Sequence, residues 1–143
     1  MKSYKLLLLY ILGSSSALSS QTLPQVKKDL GKASVVVVGD TLITSTGNIE
    51  RKWVLNGQGL RTVSLRDVST NKEWCKLEQE LKSDWDLPGA IGNGTKAEFV
   101  SLDVRKANDD QFINDSLEVI TQFRYDSARL ELPHVVWVFP DAP

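Results

Sequence analysis

The 143-residue chain contains one cysteine, one methionine and one histidine. A lone cysteine excludes an intramolecular disulfide framework and a cysteine-built metal knuckle. Neither sign of charge dominates, with 17 basic and 18 acidic side chains, so there is no general attraction to nucleic acid or to anionic lipid. The apolar run at Leu6–Leu12 falls far short of the roughly 20 residues that span a bilayer. No series of long helical patterns is present to cover a parallel sheet. The length excludes a barrel enzyme of about 250 residues for this chain alone, though not for a longer protein of which it is a piece. What remains is one domain by default, with 41% hydrophobic residues to build a core.

The first residues have the layout of an export signal. Lys2 and Lys5 precede Leu6–Leu9, Tyr10, Ile11 and Leu12, and small residues follow over Gly13–Ala17. Ala17-Leu18-Ser19 offers small residues where cleavage needs them, with Ala17 and Ser20 as neighbouring choices; an uncleaved anchor or a buried terminal helix is the rival reading. The expected division is a signal peptide over 1–19, a lead-in over 20–34 and a β-sandwich over 35–143. Cleavage after Ser19 would leave 124 residues with 15 basic and 18 acidic side chains. The expected destination is the periplasm or the exterior, without stable membrane insertion after cleavage.

Beyond the signal the chain reads as strands. Val35–Val38 is a β-branched run, bounded by Gly39-Asp40 and continued by Thr41–Thr44. Ile49, Trp53 and Leu55 share one face of an extended segment, and Arg51 can lay its stem along it. Asn56-Gly57-Gln58-Gly59 then turns the chain into Leu60–Val68, which predicts a hairpin. Glu73–Cys75 resumes a strand or its edge, Lys76–Lys82 has room for one or two helical turns, and Pro88–Gly94 is rich in turn residues. Phe99–Val104 alternates, Ala107–Gln111 reads as loop, and Leu117, Val119, Thr121, Phe123 and Tyr125 line one face of a long strand. Leu130–Phe139 is apolar on both faces, which predicts a central or interlayer strand. Eight or nine strands with turns every 8–12 residues point to an all-β antiparallel sandwich, incomplete at its C-terminal end because it stops abruptly after Phe139-Pro140.

Chemistry-bearing motifs are sparse. His134 lies in a strand, where a hydrolytic triad would need it to meet a serine or cysteine and a carboxylate; a structural imidazole is the simpler expectation. Cys75 reads as a small buried hydrophobe. Asp109, Asp110 and Asp115 lack the spacing of a calcium loop. Glu50, Glu73 and Glu118 could in principle pair across a cleft, yet nothing local marks any pair. Asn93-Gly94-Thr95 and Asn114-Asp115-Ser116 fit the glycan acceptor pattern. Of the four tryptophans, Trp53 and Trp137 have the periodicity of core residues. Trp74 stands at a strand edge. Trp85, between Asp84 and Asp86, has the makings of an aromatic platform flanked by acids, suited to a sugar face or to a neighbouring domain. Trp74, Trp85, Asp84 and Asp86 are therefore the candidate contact residues. No cofactor or metal is expected.

Two segments carry a resemblance. The first runs from Asn48-Ile49-Glu50-Arg51-Lys52-Trp53 through Gly59-Leu60-Arg61-Thr62 to Thr70-Asn71-Lys72-Glu73-Trp74. The second runs from Leu117-Glu118-Val119 through Phe123-Arg124-Tyr125 to Val136-Trp137-Val138-Phe139-Pro140-Asp141-Ala142-Pro143. In order and spacing they resemble the amino-terminal β-sandwich of bacterial alpha-galactosidases of the melibiase type, glycoside hydrolase family 36 and its relatives. Asn71-Lys72-Glu73 departs from the usual glycine-containing turn, and Asp84–Asn93 has no counterpart. The resemblance implies an enzyme that hydrolyses terminal alpha-linked galactose with retention, through two aspartates on a separate eight-stranded barrel. Such carboxyl groups stand about 5–5.5 Å apart, and neither has a position in this chain. The implied role is a noncatalytic accessory domain, its partner a missing catalytic barrel or a carbohydrate. A free-standing exported carbohydrate-binding or protein-binding module is the alternative.

Overall fold

The computed structural model describes residues 22–75, 82–85, 95–109 and 114–143. The expected signal segment, the helical turns before Lys82, the turn-rich stretch 88–94 and Asp86 lie outside the described residues. Eight strands follow in order: β1 (Lys27–Leu30), β2 (Ala33–Val38), β3 (Thr41–Ser45), β4 (Ile49–Leu55), β5 (Leu60–Asp67), β6 (Glu98–Asp109), β7 (Asn114–Tyr125) and β8 (Leu130–Val138). They form two antiparallel sheets, β1-β2-β3-β4-β5 and β6-β7-β8, which pack together. The fold is all-β.

Both sheets are meanders, because every connection within them is short. Gly31 and Gly39 adopt positive φ in the β1–β2 and β2–β3 turns, and Gly57 does so between β4 and β5. The segment expected as a lead-in supplies β1, paired with β2 from Lys27–Val36 to Leu30–Ala33, and the buried Leu23.

Alternation decides which side chains meet. Ala33, Val35 and Val37 of β2, Leu42 and Thr44 of β3, Trp53 of β4 and Leu60 of β5 are buried from the first sheet. Val104, Leu117, Val119, Thr121, Phe123, Tyr125 and Val138 are buried from the second. Trp53 is only 1% exposed, and its loss would cost about 3–5 kcal/mol, as for other large aromatic cores. On the β1 and β6 side, the Lys28 ammonium donates to the Val104 carbonyl, which ties the two sheets along that flank.

Three sequence expectations change. The loop expected over Ala107–Gln111 is strand as far as Asp109, since β6 keeps its pairing with β7 to the Asp109–Asn114 register. A register shift at Phe99 to Ser101 lets β6 keep Phe99 and Leu102 on the inner side. β8 pairs only with β7, so it is an edge strand of its sheet and not a central one. Pro133, which cannot donate to a ladder, is at home there. Leu130, Leu132, His134, Val136 and Val138 point inward while Val135 and Trp137 point outward, so Trp137 is 57% exposed and is not the core residue its apolar neighbours imply.

After β8 the chain folds onto the turn between β3 and β4. Asp141 N–H donates to the Thr46 carbonyl at 2.8 Å, Thr46 Oγ1 donates to the Ala142 carbonyl at 2.6 Å, and Asn48 Nδ2 donates to the Asp141 carbonyl at 2.9 Å. Asp141 takes a left-handed conformation (φ 60°) and pairs with Lys32 at 2.7 Å.

Candidate functional site

The described candidate contact residues, Trp74, Asp84 and Trp85, do not gather at one place. Asp84 and Trp85 belong to a segment, 82–85, that bridges β5 of one sheet and β7–β8 of the other. The Asp84 N–H donates to the Leu60 carbonyl at 2.9 Å, continuing the edge of β5. Its carboxylate is saturated with donors. Oδ1 accepts from the Thr62 N–H at 2.7 Å; Oδ2 accepts from Arg51 Nη2 and from Trp53 Nε1, each at 3.0 Å, and from the Thr62 hydroxyl. Arg51 also lies over the Trp53 ring, 4.6 Å from its centroid. An aspartate placed this way holds β4, β5 and the segment together by charge-assisted bonds.

Trp85 turns the other way. Its indole N–H donates to the Tyr125 hydroxyl at 2.7 Å, and Tyr125 donates to the Gln58 carbonyl at 2.6 Å. The ring packs against Phe123 (centroids 5.3 Å apart) and His134 (5.2 Å). His134 also meets the edge of Trp53 at 6.1 Å and is thereby boxed between two indoles. Burial, with the nearby Arg51 cation, holds the imidazole below its ordinary pKa of 6.5, while Asp84 pulls weakly the other way. Its Nδ1 is buried without a hydrogen-bond partner among the described residues, as is Oγ1 of the cross-strand neighbour Thr121. Burial likewise raises the Tyr125 pKa, against the bond from Trp85. Asp84 and Trp85, two of the residues expected to contact a sugar or a neighbouring domain, thus form an inter-sheet fastening. Asp86 lies outside the described residues.

Trp74 is elsewhere, along β5. Glu73 bridges Arg66, and the Trp74 N–H donates to the Leu65 carbonyl at 2.8 Å. The Trp74 ring is 43% exposed, with Lys72 Nζ 6.0 Å from its centroid. The Glu73 carboxylate accepts from the Ser64 hydroxyl (2.6 Å) and from the Leu65 and Cys75 N–H groups (2.8 Å each), which lower its pKa to about 2. Cys75 is half-buried with its thiol 3.8 Å from the Thr62 carbonyl.

Of the glutamates named as conceivable partners, Glu50 and Glu73 flank Arg66 on the first sheet, and Glu118 lies on the second. Glu50 pairs with Arg66 at 2.7 Å and Lys52 at 3.3 Å on the first sheet. Glu118 pairs with Arg105 at 2.5 Å on the second. Among the described residues, no group of three or more His, Cys, Asp or Glu side chains is placed to hold a metal ion. Nor is any helix there long and apolar enough to cross a membrane.

The outward face of β6–β7–β8 carries what the sequence reading did not single out. Arg105, Glu118 and Trp137 stand in one row across the three strands. Trp137 Nε1 donates to Glu118 Oε1 at 3.1 Å, while Arg105 Nε donates to Oε2. The next row is Asp103, Ile120 and Val135. Trp137 was findable: once the even positions of β8 are assigned to the core with His134, the odd ones must face out.

No family model, curated protein or solved structure matches the chain.

Proposed function

We propose that the chain is a noncatalytic β-sandwich module that acts through its surface, as an accessory domain of an exported alpha-galactosidase-like glycoside hydrolase. The observation that carries the noncatalytic part is the state of Asp84: both of its oxygens are engaged by Arg51, Trp53 and Thr62. A carboxylate engaged by that many donors is committed to holding β4, β5 and the 82–85 segment together. His134, the single imidazole, is enclosed by Trp53 and Trp85, and its Nδ1 makes no hydrogen bond to a carboxylate that would orient it among the described residues. The accessory part rests on the resemblance. Its first segment spans the β4–β5 hairpin and the Glu73 bridge, and its second spans β7 and β8. These are the two pieces that face each other where Trp53 meets His134.

The exposed, oriented indole of Trp137 favours the second reading, a module that itself binds a ligand. The two readings share the noncatalytic claim. Incubation of the purified protein with an aryl alpha-galactoside tests it: no galactose release above a boiled control is expected. Turnover that disappears when one carboxylate of this chain is neutralised would overturn the proposal.

A further inference from the structure

We infer that the outward face of β6–β7–β8 is a binding site for a neutral glycan, with the Trp137 indole as its stacking platform. The inference rests on the reading of the chain as a module that works through its surface, and it names the ligand class and the residue that would hold it.

The platform is built before any ligand arrives. Trp137 is 57% exposed, yet its ring is not free to swing, because Nε1 is bonded to Glu118 at 3.1 Å and Glu118 is itself gripped by Arg105 at 2.5 Å. Glu118 is only 13% exposed in its side chain, whereas Arg105 is 60% exposed. An exposed large aromatic fixed by a two-step hydrogen-bonded relay presents its π-face with little ordering cost left for binding. A pyranose ring has one face of C–H groups that packs on such a surface and a rim of hydroxyls that needs polar partners. Arg105, across Glu118 from the indole, and Asp103 in the next row with Ile120 and Val135, supply the polar rim and the apolar floor.

Charge decides between ligand classes. The cations of this face are matched by anions: Arg105 with Glu118, and Arg124 with Glu98 at 3.3 Å and Glu131 at 3.7 Å. With Asp103 beside them, four carboxylates stand against two guanidiniums on this face, so nothing there attracts an anionic polymer. A purely apolar protein surface laid on it would bury these ion pairs at a desolvation cost. A neutral sugar avoids both penalties, since its hydroxyls can bond to the charged groups and leave the pairs intact.

The test is affinity electrophoresis of the protein in native gels cast with neutral polysaccharides, namely galactomannan, xyloglucan, dextran and arabinogalactan. At least one should retard the wild-type protein. Trp137→Ala should weaken that retardation by about two- to tenfold in apparent Kd, the scale of a lost aromatic stacking contact. Arg105→Ala should weaken it less, and Trp74→Ala should leave it unchanged. Because Trp137 is outside the core, its removal should leave the denaturation midpoint near the wild-type value, so lost binding cannot be put down to unfolding. The inference is overturned if none of the four polymers retards the protein, if Trp137→Ala binds like wild type, or if Trp74→Ala is the variant that loses binding. It is equally overturned if Trp137→Ala instead abolishes self-association seen by sedimentation, which would make the face a protein interface. None of these outcomes touches the absence of turnover, so the two claims fail separately.

Discussion

Trp85 and Tyr125 are joined by a hydrogen bond of 2.7 Å from the indole N–H to the phenolic oxygen, and Tyr125 passes its own proton toward the Gln58 carbonyl at 2.6 Å. One short relay thus connects the 82–85 segment, β7 of the second sheet and the β4–β5 turn of the first. Trp85→Phe keeps a ring against Phe123 and His134 but removes the first bond, and should cost about 0.5–1.5 kcal/mol. Trp85→Ala also removes the packing and should cost about 3–5 kcal/mol, a large part of the stability of a domain this size. Urea denaturation followed by circular dichroism separates the two.

Gly59 is the second test of the same fastening. Its φ of +144° is one that side-chain-bearing residues rarely adopt, and a Cβ there would collide with Trp85 Cζ2 and stand 3.0 Å from Cε2. Gly59→Ala should therefore destabilise the fold by about 2–5 kcal/mol, combining backbone strain with overpacking. Gly57→Ala should behave differently: its φ is +79°, but nothing lies within 4 Å of the added carbon, so only the strain term of about 1–3 kcal/mol applies. Comparison of the two urea midpoints checks this ordering.

The strands were legible because their signals are local. Val35–Val38, the Asn56–Gly59 turn and the alternation from Leu117 to Tyr125 each follow from period-two burial or from a glycine's freedom, and each is present. What the chain did not disclose is which partner each face meets. Trp137 sits among apolar residues on both sides, and only the pairing of β8 as an edge strand decides that its face is outward. Asp84 and Trp85 read as an exposed acidic-aromatic motif because their partners, Arg51, Thr62 and Tyr125, are 22 to 40 positions away. Long-range satisfaction of a polar group leaves no mark in the local sequence.

Stability should fall with acid in two separate windows. His134 is held below 6.5 when folded, chiefly by burial and then by Arg51, so the unfolded chain takes up its proton first. Stability should therefore rise with pH through the interval below 6.5 and begin to fall as pH drops past that value. His134→Phe should flatten this interval and, by removing a buried unpartnered nitrogen, should raise stability by about 1 kcal/mol at neutral pH. The second window lies lower. Glu73 is brought from 4.5 to about 2 by Ser64, Leu65 and Cys75, and Asp67 and Asp115 are lowered by Ser69 and Asn108 respectively. Their contribution is present above about pH 4.5 and is lost as pH falls toward 2. Glu73→Gln should reduce the slope in that lower window and leave the upper one unchanged, measured by denaturation midpoints across a pH series.

The central claim is a division of labour: Trp85 fastens the sheets and Trp137 meets the ligand. It is tested most directly by measuring, on Trp85→Phe and Trp137→Ala side by side, both the urea midpoint and retardation by the polysaccharide that binds the wild type. The account predicts a crossed pattern, with Trp85→Phe less stable but retarded like wild type and Trp137→Ala as stable as wild type but less retarded. The reverse pattern, with Trp85→Phe unable to bind and Trp137→Ala unstable, would contradict it.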